Sequence, residues 1–204
     1  MPIPRRPKPN GPFLYLLFHK PYGVICQFSP SRDKVTLASF GPFPAGVYPV
    51  GRLDTDSEGL LLMTNDGTMQ HVLLEPKFHH PRTYLAQVER VPGAAALAQL
   101  RAGVVIEGTK TLPAEAELLS EEPALAPRAV PIRFRKEIPT AWVRLTLREG
   151  RNRQVRKMTA AVGHPTLRLL RTAIGPLTLE GLAPGESRAL TAAERSALES
   201  LLRR

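Results

Sequence analysis

The chain has 204 residues, of which 43% are hydrophobic and 23% charged, values that suit one compact unit and exclude wholesale disorder. A single cysteine, Cys26, excludes an internal disulfide, and no apolar run approaches the roughly 20 residues needed to cross a bilayer, so a cytoplasmic protein with no membrane partner is expected. The net charge of +10 is unevenly placed: Arg128 to Arg171 carries 12 Lys and Arg against only Glu137 and Glu149, and the rest balances. Clustered cations suit a polyanion, because phosphate neutralisation and counterion release add over neighbouring charges.

In chain order, MPIPRRPKPNGP is rich in proline and basic residues without apolar periodicity, which predicts a flexible tail over residues 1–13 and one folded domain over 14–204. Leu14 to Phe18 reads as a short strand running into HKPYGV, and VYPV at Val47 to Val50 leads into the loop GRLDTDSEG. Leu60 to Met63 is a continuous apolar run of strand length. Thr83 to Glu89 alternates as a strand, and the alanine-rich Pro92 to Leu100 predicts a helix stopped at Gly103.

Strand candidates at Val104 to Ile106 and Ala114 to Leu119 flank a turn containing Pro113, and Trp142 to Leu147 alternates again. Arg151 to Val162 reads as a helix closed by Gly163, which would place Arg153, Arg156 and Lys157 within about 100° of one another, opposite Val155, Met158 and Val162. Thr166 to Ile174 follows as a strand, and Thr191 with Glu194 forms a capping box for a last helix ending near Leu202. Strands outnumber helices and come in pairs, which predicts an α+β fold with a mixed, largely antiparallel sheet.

The loop places Asp54, Asp56 and Glu58 at alternate positions, and three readings stand. As a calcium loop, Asp54, Asp56, Glu58 and Gly59 would take the first, third, fifth and sixth positions, but the twelfth would be Asn65, where a bidentate Glu is needed, and the flanks are not helical. As a turn, Asp54 or Asp56 would cap backbone amides and Gly59 would supply a positive φ. As a site of covalent chemistry, one carboxylate kept ionised by a nearby Arg would attack an electrophilic sugar or base carbon. His79 and His80 lack Cys or carboxylate neighbours at ligand spacing, and Cys26 reads as a small packed residue.

The stretch GRLDTDSEGLLLMTNDG resembles the signature loop of the pseudouridine synthases, in the branch that modifies ribosomal RNA. KPYGV, RTYLAQVE and EGRNRQVRKMTAAVGHPTLRLLRTAIGPL agree in order and spacing, so the resemblance runs from about Leu14 to Leu179. The pairing of TLPAEAEL with IPTAWVRLTLREGRNRQVRKM is most similar to the large-subunit (23S) type.

The resemblance implies the pseudouridine synthase fold with an active-site cleft, and isomerisation of uridine to pseudouridine in 23S rRNA by a monomer without cofactor or metal. It implies that Asp54 is the nucleophile, that Tyr84 stacks on the flipped base, and that Arg156 pairs with Asp54. It further implies that Leu169 walls the base pocket and that Lys20 and Pro21 are architectural. Arg52, Arg151, Arg153 and Lys157 are the expected RNA contacts, while Asp56 and Glu58 would shape the loop. Two departures stand out: Arg153 replaces a His common in relatives, and the motifs begin at Lys20, which leaves no room for an N-terminal S4-like module.

Overall fold

The computed structural model describes residues 11–128, 130–132 and 138–203; most of the expected tail lies outside them. Their elements run β1 (Tyr15–Lys20), β2 (Tyr48–Pro49), β3 (Glu58–Thr64), α1 (Gly67–Leu74), β4 (Arg82–Glu89), α2 (Ala94–Ala102), β5 (Val105–Ile106), β6 (Thr109–Lys110) and β7 (Glu115–Leu118). They continue with β8 (Thr140–Leu147), α3 (Gln154–Ala161), β9 (Thr166–Ile174), β10 (Leu177–Thr178), β11 (Ser187–Ala189) and α4 (Ala192–Glu199).

One sheet carries the fold in the order β11-β1-β3-β9-β4-β8-β7, with β2 added to β3 and β10 to β9. The β3–β9 pair is parallel and the other pairs of this sheet are antiparallel, so the mixed α+β architecture follows as expected.

The strand β3 is buried along its whole length, because both of its faces are covered. Leu60 and Leu62 join a core with Leu17, Met69, Leu73 and Leu198, whereas Leu61 and Met63 join Phe18, Leu37 and Leu53 on the other face. A third core lies further along the sheet, where β4 and β8 pack against α2 and α3 through Ala86, Val88, Leu97, Leu145, Val155 and Met158. Gly59 makes the parallel crossing possible. Its φ is 107°, and a Cβ there would overlap the Arg171 carbonyl on β9.

Several boundaries differ from the sequence reading for identifiable reasons. The turn after β5 falls at Glu107 and Gly108, both with positive φ, so β5 pairs with β6 rather than folding back through Pro113. The helix α1 is additional: Asp66 caps it by accepting from the Thr68 and Met69 amides, a signal carried by TNDG. The expected helix from Arg151 starts instead at Gln154, because Arg153 adopts a left-handed conformation with φ of 50°. Val155 and Met158 do face the core, but Arg153 is not on the helix face shared by Arg156 and Lys157. The Thr191–Glu194 capping box is present in both directions.

Candidate active site

The acidic loop leaves the core at Leu53, whose amide donates to the buried Cys26 Sγ at 3.3 Å, and re-enters it at Ser57, whose amide donates to Asp54 O at 3.0 Å. Between these anchors its backbone is tied to the KPYGV turn, where the Gly23 amide donates to Thr55 O at 2.8 Å. Beneath the turn lies Lys20, fully buried, with Nζ donating to Pro21 O at 2.9 Å, Val24 O at 2.8 Å and Thr55 O at 3.5 Å. Burial depresses the Lys20 ammonium to about 8, and the loop carboxylates oppose that shift.

The three alternate carboxylates diverge. Glu58 turns inward, where Arg168 grips it through Nε at 2.9 Å and Nη2 at 2.8 Å; both side chains are nearly solvent-free. Asp56 accepts from Arg153 Nη1 and Nη2 at 2.9 and 2.8 Å, and that bidentate pairing holds its carboxyl below the usual range. Asp54 opens to solvent, and its side chain makes no hydrogen bond among the described residues. Among those residues no group of three His, Cys, Asp or Glu side chains could hold a metal ion.

The expected pairing of Arg156 with Asp54 is replaced by a different arrangement. Arg156 donates from Nη2 to Asp56 O at 2.7 Å and from Nη1 to Thr166 O at 3.1 Å, and its Nε lies 3.4 Å from Asp56 Oδ2. These bonds fix the guanidinium against the second carboxylate of the loop and against the start of β9. Burial lowers the Arg156 pKa, with Asp56 opposing. Among the described residues the cation within 4.0 Å of the Asp54 carboxylate is Arg153, with Nη1 3.6 Å from Oδ2. Arg153 reaches both acids because its left-handed backbone aims the side chain back toward the loop.

An open depression of about 550 Å³ fronts Asp54, lined by Tyr22, Gly23, Ile25, Cys26, Gln27, Arg52, Leu53, Thr55, Asp56 and Arg153. Arg52 is exposed on its wall. Tyr84 and Leu169 pack into the same core from the adjacent strands β4 and β9, with Leu169 opposite Ala86 and Tyr84 opposite Arg171; neither lines the depression. Arg151 is held by Glu149 at 3.1 Å and by the carbonyls of Thr109 and Lys110, and Lys157 by Glu107 at 2.7 Å and by Asn152. These two cations fasten the β5–β6 hairpin to the loop before α3. The sequence reading missed the double role of Asp56 in holding Arg153 and Arg156; its position two residues after Asp54 was the available signal.

A carboxylate that makes no hydrogen bond among the described residues, flanked by a guanidinium and open to a depression of nucleotide size, can attack an electrophilic carbon. The comparisons with known proteins identify the family. The profile of the RNA pseudouridylate synthase family matches residues 14–161. The chain is 52% identical over 173 residues to the ribosomal large subunit pseudouridine synthase E of Xanthomonas axonopodis pv. citri, covering 84% of this chain and 90% of that one. It is 50% identical over 171 residues to the protein of the same name in Vibrio vulnificus, covering 84% and 72%. A solved pseudouridylate synthase superposes with a TM-score of 0.76 at 32% identity, over 93% of this chain and 74% of that one. With the sheet, the loop and these relatives in agreement, the chain belongs to the RNA pseudouridylate synthase family and is an isomerase that acts on RNA.

Proposed function

We propose that this enzyme converts a uridine of large-subunit (23S) ribosomal RNA to pseudouridine, with Asp54 as nucleophile and without cofactor or metal. The substrate class is supported by the names of two relatives at 52% and 50% identity. The nucleophile is supported by one observation above the others: the Asp54 carboxylate faces the depression, beside the Arg153 guanidinium, with no hydrogen bond among the described residues competing for its lone pairs.

The reaction rearranges bonds within one nucleotide. The glycosidic bond from N1 to C1′ breaks, the uracil turns, C5 bonds to C1′, the C5 proton leaves to solvent and N1 gains one. Atoms and electrons balance without a redox partner, so a carboxylate that attacks and later departs suffices. The uridine has to leave its helix or loop for that attack, at the expense of stacking. Arg52, exposed on the depression wall, would hold the strained backbone by its phosphate; the roles of Tyr84 in stacking on the flipped base and of Leu169 in walling it rest on the family resemblance, since neither lines the depression. Arg153 sets a positive charge beside Asp54, and Arg156 holds the loop through Asp56. All of these groups come from one chain, so a monomer suffices, and the substrate places the enzyme in the cytoplasm.

Incubation with a 23S rRNA transcript carrying tritium at uridine C5 tests the proposal. Release of label to water is expected, and Asp54→Asn should abolish it, by on the order of 10³-fold or more, while RNA binding persists. Comparable release by Asp54→Asn excludes Asp54 as the nucleophile. Binding without release by the parent enzyme reduces the protein to an RNA-binding module.

A further inference from the structure

The KPYGV turn supplies a side chain to the site as well as a buried lysine. The Tyr22 ring lines the Asp54 depression, and the Arg128 guanidinium lies over it, 4.1 Å from the centroid. Such a stack is common on protein surfaces as plain packing. Here both partners are tied to the frame of the acidic loop. Tyr22 is fixed by the Gly23 amide on Thr55 O and by Lys20 Nζ on Pro21 O and Val24 O. Arg128 comes from the connection between β7 and β8, which is pinned two residues earlier where Arg168 Nη2 donates to Ala126 O at 2.9 Å. That same Arg168 grips Glu58 at the end of the acidic loop. Arg128, two residues after that anchor, reaches the Tyr22 ring.

The chemistry of this pair suits a nucleotide. An aromatic ring at the mouth of an RNA-modifying cleft offers a stacking surface to any base, since every base has a π-face. Arg128 directs Nε to Val130 O, and its Nη groups make no hydrogen bond among the described residues, which leaves them for a phosphate. Arg52, exposed on the wall of the same depression, adds a second cation. Tyr84 and Leu169 belong to the sheet and do not line the depression, whereas Tyr22 lines it and Arg128 lies over the Tyr22 ring.

We propose that Tyr22 and Arg128 bind the nucleotide next to the target uridine, Tyr22 by stacking on its base and Arg128 by pairing with its phosphate. The proposal rests on the reading of Asp54 as the nucleophile of an RNA site. Neither contact reads a base edge, so the pair grips the strand while the target base is extruded, and it leaves the choice of uridine to other contacts.

The test measures filter binding of a 23S rRNA transcript and steady-state tritium release for Tyr22→Ala, Tyr22→Phe and Arg128→Gln. Tyr22→Ala should raise Kd and KM about tenfold, the loss expected of one stacked base, with kcat held within about twofold. Tyr22→Phe should restore the parent values, and Arg128→Gln should weaken binding and lower the salt slope by about one. A Tyr22→Ala Kd within about twofold of the parent overturns the proposal, as does a loss shared by Tyr22→Phe. Should Tyr22→Ala not fold, an unchanged Kd and salt slope in Arg128→Gln overturns it instead. Kd effects without tritium release by the parent enzyme support the binding element and sink the reading of Asp54.

Discussion

The Arg153 guanidinium spans both carboxylate oxygens of Asp56, at 2.9 and 2.8 Å. The same guanidinium lies 3.6 Å from Asp54 Oδ2, so a fully hydrogen-bonded acid fixes the cation that faces an open one. Two carboxylates on one loop thereby take different work. Asp56 is spent on geometry, and Asp54 is left open to the depression.

Asp56→Asn should therefore impair catalysis without touching the proposed nucleophile. Loss of the bidentate grip frees Arg153 to swing away from Asp54, and displacement of about 1 Å at a reacting centre can cost on the order of 10²-fold. Single-turnover tritium release should fall by about that factor, with RNA affinity kept or raised by the loss of a negative charge. In the parent protein the Asp56 carboxyl is held below its ordinary value by Arg153, so the grip is present at neutral pH and is lost as pH falls through that lowered value. A parent-like rate in Asp56→Asn shows that Arg153 needs no such support.

Lys20 imposes a pH dependence on stability. Its pKa in the fold is depressed to about 8, so between pH 8 and its ordinary value of 10.5 the unfolded chain binds more protons than the folded one. Its contribution to stability therefore rises with pH across that window, by about 3 kcal/mol in full. Buried Cys26 acts in the opposite direction, because burial pushes its thiol up. Comparison with Lys20→Met isolates the lysine: urea unfolding from pH 8 to 10 should show the parent gaining on the variant. Parallel stability curves exclude a buried, proton-shedding Lys20.

Arg168 and Glu58 form a buried pair whose single loss leaves an uncompensated charge. Arg168→Met should cost about 3–5 kcal/mol in urea unfolding, and adding Glu58→Gln should recover part of it. Arg168 also holds Ala126 O, so some of the loss should remain in the double variant. A double variant no more stable than Arg168→Met shows that the two side chains are not coupled.

The cations near the site should separate by what already binds them. Arg52 is exposed on the depression wall, so Arg52→Gln should weaken 23S rRNA binding and reduce the salt slope by about one. Arg151 is committed to Glu149 and two carbonyls, so Arg151→Gln should change the slope less and lower the melting temperature more. Equal slopes for the two variants show that intramolecular pairing does not set their availability.

The strands were legible because their signal is local. Thr166–Ile174 and the Thr191–Glu194 capping box follow from residues within a few positions of each other. GRLDTDSEGLLLMTNDG likewise singled out Asp54 through its resemblance to the family's signature loop, because that motif is written contiguously in the chain. Local reading failed where one backbone angle redirected a side chain. The left-handed Arg153 delays the start of α3 and turns that guanidinium onto residues nearly 100 positions earlier, toward Asp56 and Asp54. The parallel β3–β9 crossing sets Glu58 and Arg168 together across 110 positions, and the connection after β7 carries Arg128 to Tyr22. Sequence by itself determined which groups are present and which elements carry them. Only the tertiary structure decided which cation meets which carboxylate, because ionic pairing over such separations depends on strand register and on the few ångströms within which a hydrogen bond forms.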